Sequence, residues 1–387
     1  MIGWYIHHQG NGHLHRATAV ARVAAARGLS ITGLSSLPAP EDWPEGAAWV
    51  QLDRDDTAVF PDTAVSTDTA VSTDTAVSTD TAVSTDTAPP ADPTASGTLH
   101  WVPKHHPGLR RRSAQLSAWL DSAQPDLLVA DVSVEIALLA RLHGIPVVTV
   151  GLPGDRSDAA HQLGYAISDA VVGMWPPEAT DMLRGAGAVA ALGGLSRFTP
   201  AALDAPDAPN AQEEQTPTPA PVPRPAPREV LVLSGAGGGS VGPDSVDQLR
   251  RVLPHANVTV LGGDGLWDSD PWPHLQRADL VLTAAGQNSI AEVAASRTPA
   301  LVIALDRPHQ EQQHMLAALE RGPWPVLRAP EPQDDAGWDR AIAELSLRDG
   351  QDWASWCDGE AAVRFAELLS RLSTPQGINS SGSEARP

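Results

Sequence analysis

Apolar residues fall in short runs separated by polar and glycine-rich turns, and the period of the runs alternates along the chain. Residues 2–6 read as a strand, and 13–28 carries the spacing of an amphipathic helix closed by Gly28. Strand patterns return at 30–34, 126–129 and 147–150, with a helical stretch at 134–142 between the last two. The alternation restarts downstream, with strands at 229–233, 257–261, 280–282 and 301–305. Strand–helix–strand order predicts parallel, doubly wound sheets, whose ligands bind outside the carboxyl ends of the strands. A last helix, over 359–372, is apolar on one side.

Two segments break the pattern. Between 62 and 88 the unit Asp-Thr-Ala-Val-Ser-Thr repeats without error. One valine per unit cannot bury enough area to fold, so 56–98 reads as an insert carrying a disordered repeat. Residues 204–228 are rich in Pro and Ala, a semi-stiff spacer. The chain thus divides into a first α/β domain over 1–203, a linker over 204–228 and a second α/β domain over 229–350. A terminal helical region follows over 351–373, then a disordered tail over 374–387.

Composition narrows the partners. The formal charge of −21 argues against nucleic acid, whose phosphates require clustered cations. Cys357 is the only cysteine, so the chain can form no internal disulfide and no thiolate metal site, which fits a reducing cytoplasm. The start of the chain lacks a charged leader, and no run reaches the roughly 18 apolar residues of a spanning helix, so a soluble protein is expected.

Candidate chemistry gathers at strand ends. Gly10-Asn11-Gly12-His13 follows the first strand. There His13 is either a neutral base at a helix start or a plain capping residue. Asp131, past the strand at 126–129, is either an acceptor-side residue or a helix cap. Gly235, Gly237 and Gly238 follow the strand at 229–233 and form either a tight turn or a phosphate cradle. After the strand at 280–282 come Gly286, Gln287, Asn288 and Ser289, a helix start whose N–H groups suit an anion, with Glu292 one turn inside. Glu292 either complements the helix dipole or accepts ribose hydroxyls. Gln310, Gln312 and Gln313 sit in the polar run after 301–305, where amides are either solvated or offered to a sugar. The run Arg110-Arg111-Arg112 reads as a solvated helix face rather than a phosphate clamp. His105-His106 has no further ligand at metal spacing, so no metal and no cofactor are expected.

Together these pieces resemble a GT-B glycosyltransferase, and most of all glycosyltransferase family 28, the group of the peptidoglycan lipid-intermediate N-acetylglucosaminyltransferase. The resemblance is carried by residues 229–322, by the Gly286–Glu292 helix start and by the Gln312-Gln313 loop. In the first half it rests on Gly12-His13, with Asn11 replacing one of the family's glycines. It implies two Rossmann-like domains with parallel sheets facing across a cleft, and a last helix crossing back to the first. It also implies diphosphate contacts from Ser289 and from Gly237 and Gly238, with ribose held by Glu292. Gln312 and Gln313 would meet the donor sugar, and Asn11 and Gly12 would lie on the acceptor side.

The resulting expectation is an inverting, metal-independent transferase. It would move a hexose or N-acetylhexosamine from a UDP-sugar to an acceptor hydroxyl, with His13 or Asp131 as base. The acceptor itself is left open, a lipid-linked glycan and a small-molecule glycan being the two candidates. A UDP-sugar epimerase on the same fold and a non-catalytic nucleotide-sugar-binding protein are the competing readings.

Overall fold

The computed structural model describes residues 1–56, 92–202, 223–235, 240–263 and 265–374. The hexapeptide repeat, most of the Pro/Ala-rich interval, Gly237, Gly238 and the tail beyond 374 lie outside these residues.

The first half builds a seven-stranded parallel sheet from β1 (Ile2–Tyr5), β2 (Ile31–Ser35), β3 (Trp49–Gln51), β4 (Leu127–Asp131), β5 (Val147–Val150), β7 (Ala170–Gly173) and β9 (Ala190–Ala191). Their spatial order is β3-β2-β1-β4-β5-β7-β9. A two-stranded ladder of β6 (Gly154–Asp155) and β8 (Leu183–Arg184) stands apart. Helices α1 (Gly12–Ala26), α2 (Pro107–Ala123), α3 (Val134–Leu142) and α4 (Ala159–Ala166) belong to this half. Every residue of β1, β4 and β5 is buried, as expected for a parallel sheet covered on both faces.

The second half builds a five-stranded parallel sheet in the order β11-β10-β12-β13-β14. Its strands are β10 (Glu229–Leu233), β11 (Asn257–Leu261), β12 (Leu280–Ala284), β13 (Ala300–Ile303) and β14 (Val326–Arg328). Helices α5 (Pro243–Val252), α6 (Trp272–Arg277), α7 (Gln287–Ser296), α8 (Glu311–Arg321) and α9 (Asp335–Leu345) connect and cover them.

Both sheets reverse their strand order once, between β1 and β4 and between β10 and β12. Such switch points open crevices at the carboxyl strand ends. The Gly12–His13 turn and Asp131 lie at the first, and Gly235 and Gly286 at the second.

The final helix, α10 (Ala361–Ser373), leaves the second half and seals the first core. Phe365 meets Trp4 of β1 with ring centroids 5.0 Å apart, and Leu369 joins the same apolar cluster. Burying each such side chain contributes about 1.5–3 kcal/mol, which anchors α10 on the first half. A second cluster joins the halves directly. Val171, Trp175 and Met182 pack with Leu231, Ile290 and Trp356.

Some boundaries and environments differ from the sequence reading. The strand expected at 126–129 runs on to Asp131, which is therefore the last residue of β4 rather than a loop residue. Arg112 is not on a solvated face. It is buried, donates to the Tyr5 hydroxyl at 2.6 Å and pairs with Asp55 at 2.8 Å, because α2 lays this side toward the sheet.

Candidate active site between the strand ends

His13 is the second residue of α1, and the preceding Asn11 makes no side-chain cap. Its Nδ1 lies 2.9 Å from Oδ1 of Asp131. An ionised carboxylate only accepts, so the proton of a neutral His13 belongs on Nδ1 and the lone pair on Nε2. Asp131 is fully buried. Burial alone would push its carboxyl up, but the Arg16 guanidinium and His13 outweigh that and hold it below the usual carboxylate range. Arg16 donates Nη1 to the same Oδ1 at 2.8 Å, while Oδ2 of Asp131 is buried without a partner.

Directly after Asp131, Val132 adopts φ 67°. A β-branched residue in the left-handed region is strained, and such strain concentrates at functional sites. Here it turns the chain out of β4 so that Ser133 caps α3.

From the opposite sheet, α7 begins at Gly286, and no side chain caps it. Its first N–H groups are therefore open to an anion. Gln287 Oε1 accepts from Arg16 Nη2 at 3.1 Å, which ties α7 to α1, and Gln287 Nε2 is buried without a partner. Asn288 presses on Gly12 so closely that a Cβ on that glycine would lie 1.8 Å from Asn288 Nδ2. Gly235 faces Ser289, whose Oγ is 3.6 Å from where a Gly235 Cβ would stand. The structure thus brings Gly12, which follows Asn11, against Asn288, and joins the His13–Asp131 pair to Gln287 through Arg16, with Ser289 beside Gly235 and Gly286.

The remaining expected residues are placed differently. Glu292 accepts from Arg197 Nε at 2.9 Å, and Arg197 also donates to the Ser269 carbonyl at 3.1 Å. Burial pushes the Glu292 carboxyl up, and Arg197 offsets only part of the rise. Gln312 is buried and turned to the backbone, its Oε1 accepting from Leu305 N at 2.9 Å. Gln313 Nε2 donates to the Leu305 carbonyl at 3.3 Å, leaving its Oε1 buried without a partner. Both amides therefore brace the turn after β13, and Gln310 stands exposed in that turn with φ 55°.

Residues that the sequence reading left without a role complete the site. Arg16 binds Asp131 and Gln287 at once, and Arg197 holds Glu292. His7 lies with its ring 5.7 Å from that of His13 and stacks on His8 at 4.9 Å. Burial, then the neighbouring His13, lower the His7 pKa to about 3, so it is neutral at physiological pH. His7 also borders a cavity of about 520 Å³ with an apolar wall from Leu99, Trp101, Val102, Ile136 and Leu139. Glu135 closes that wall by accepting from the backbone N–H groups of His100 and Trp101 at 2.7 and 3.1 Å.

No protein-family model matches the chain, and no curated protein matches it in sequence. Solved structures match its fold. MurG of Acinetobacter baumannii superposes with a TM-score of 0.57 at 14% identity, covering 96% of this chain and 99% of that one. A UDP-glucosyltransferase from Polygonum tinctorium, capable of glucosylating indoxyl, gives 0.56 at 14% identity over 96% and 98%. The spinosyn rhamnosyltransferase SpnG, in complex with thymidine diphosphate, gives 0.51 at 13% identity over 96% and 96%. The chain has the GT-B fold. Among the described residues, no helix is long and apolar enough to cross a membrane.

Proposed function

We propose that the chain is an inverting glycosyltransferase. It moves a hexose or N-acetylhexosamine from a UDP-sugar to a hydroxyl group of a largely apolar acceptor, without a metal ion in the transfer step. The observation that carries this reading is the His13–Asp131 pair facing the uncapped start of α7 across the two sheet ends.

The acceptor occupies the cavity beside His7, whose volume suits a small organic molecule. Its hydroxyl presents to Nε2 of His13. As the acceptor oxygen attacks the anomeric carbon, the proton passes to Nε2, and Asp131 stabilises the imidazolium. The bond from the anomeric carbon to the diphosphate oxygen breaks, and the electron pair leaves with the UDP. N–H groups at the start of α7, with Ser289 and the backbone at Gly235, take up the developing charge. A single displacement with the base opposite the leaving group inverts the anomeric centre. Glu292 meets the ribose through the oxygen not engaged by Arg197, and Gln313 Oε1 is the amide atom left to meet the sugar.

Incubation with UDP- and dTDP-sugars and a panel of phenolic and aliphatic alcohols, read by mass spectrometry, tests the proposal. A glycosylated alcohol with inverted anomeric configuration is expected. An epimerised UDP-sugar formed without acceptor, or binding with no turnover on any acceptor, overturns it.

A further inference from the structure

Away from His13, three imidazoles converge on one carboxylate where the two halves meet. Asp158 caps α4, its Oδ1 accepting from the His161 backbone N–H at 3.1 Å. Its Oδ2 lies 2.6 Å from His161 Nδ1 and 3.9 Å from His309 Nδ1, and its Oδ1 lies 3.5 Å from His100 Nε2. The His100 and His161 rings are tilted at 4.4 Å between centroids, and His161 and His309 pack edge to face at 4.9 Å.

These residues come from separate elements. His100 stands in the segment before α2, held by Glu135. His161 lies within α4, and His309 belongs to the turn between β13 and α8 in the second half. The His309 backbone is fixed against the first half, since a Cβ on Gly154 would lie 2.5 Å from the His309 carbonyl oxygen.

We propose that His100, His161, His309 and Asp158 bind one divalent transition-metal ion, of which zinc is the natural test, and that this ion clips the two halves together. Four N and O ligands suit tetrahedral zinc, whose bonds of about 2.0–2.1 Å set ligand atoms ~3.3 Å apart. The separations of 2.6, 3.5 and 3.9 Å from Asp158 bracket that value. His100, His161 and Asp158 already hold one ligand atom each within 4.8 Å of one another, and His309 has to swing inward to become the fourth. One carboxylate satisfies one imidazole. Here His100 Nε2 is buried yet makes no hydrogen bond, and His309 Nδ1 turns to the Asp155 carbonyl at 3.1 Å. A cation would satisfy all of them. Arg156 lies 3.4 Å from His161 Nε2, the ring nitrogen away from Asp158, and is paired with Glu311 at 3.4 Å. A second group, His8 with Asp55 and Asp56, competes poorly because Arg54 and Arg112 already hold its carboxylates.

The test is calorimetric titration of the full, chelator-treated chain with zinc, with cobalt as an optical probe. One ion per chain at micromolar affinity or tighter is expected, with the visible bands of tetrahedral cobalt. His100→Ala and His309→Ala should each weaken binding at least tenfold. Both side chains are about one-third exposed (34% and 31%), so their loss leaves the fold intact. Unchanged affinity in either variant, or binding abolished by Asp56→Asn instead, overturns the site. The readout needs no sugar transfer, so it stands or falls independently of the proposed activity.

Discussion

Arg16 bonds to Asp131 through one guanidinium nitrogen, at 2.8 Å, and to Gln287 through the other, at 3.1 Å. The residue that helps keep the buried carboxylate ionised in one half therefore also holds the start of α7 in the other. Arg16→Met should strip the buried Asp131 of its guanidinium partner, leaving His13 on it, and cost about 3–5 kcal/mol in urea denaturation. A loss under 1 kcal/mol would mean that water reaches Asp131 and the pair is not a true interior contact.

Acid should weaken the fold through His7. Its folded pKa of about 3 lies below the ordinary imidazole value of about 6.5, so the unfolded chain binds the extra proton between those two pH values. Stability is complete above pH ~6.5 and falls on acidification toward pH ~3, by up to about 1.4 kcal/mol per pH unit from this group. His7→Gln should flatten the midpoint-against-pH curve in that window. A parallel curve for both proteins would assign the acid sensitivity to other groups.

Gly12→Ala should push the Asn288 amide away from the start of α1, because its methyl group would fall on that amide. Turnover and nucleotide affinity should both drop, and Asn288→Ala should restore much of the loss by vacating the space. Such touching residues typically couple by roughly 0.5–3 kcal/mol in a double-mutant cycle. Additive effects would show that the two residues do not meet in solution.

His13→Ala should lower kcat about 10²–10⁴-fold while UDP affinity moves by less than about 1 kcal/mol, since the proposed nucleotide site is on the other sheet. Steady-state kinetics and calorimetry on one preparation separate the two. Full activity would shift the base role to Asp131.

Glu292→Gln should weaken UDP binding by about 1.5–3 kcal/mol, or roughly ten- to a hundredfold, if its free oxygen accepts ribose hydroxyls. Equal UDP affinity would leave Glu292 as only the partner of Arg197.

The sequence reading recovers the scaffold better than the contacts. Strands β5, β10 and β11 and helix α3 fall at the expected residues, because period and length are local properties. His13 and Asp131 are each visible as strand-end candidates, but their bond spans 118 positions and no local pattern carries it. Arg16 is one more cation on a helix until folding sets it between two sheets. Gln312 and Gln313 show the reverse limit. Their residue type suggests sugar binding, while the turn after β13 has backbone groups of its own that take those amides first. The histidines at 100, 161 and 309 form no motif at all, since three separate elements deliver them.

The seating of α10 on β1 has a consequence for how the chain is made. The strands that finish the first sheet leave the ribosome with residue 191, but the helix that covers Trp4 begins only at 361. At about 5–20 residues per second, the nascent first half waits roughly ten to thirty seconds with that apolar face uncovered. Apolar surface left open in this way favours binding by a holding chaperone, and a ribosome stalled before 361 is expected to release an aggregation-prone fragment rather than an independent unit.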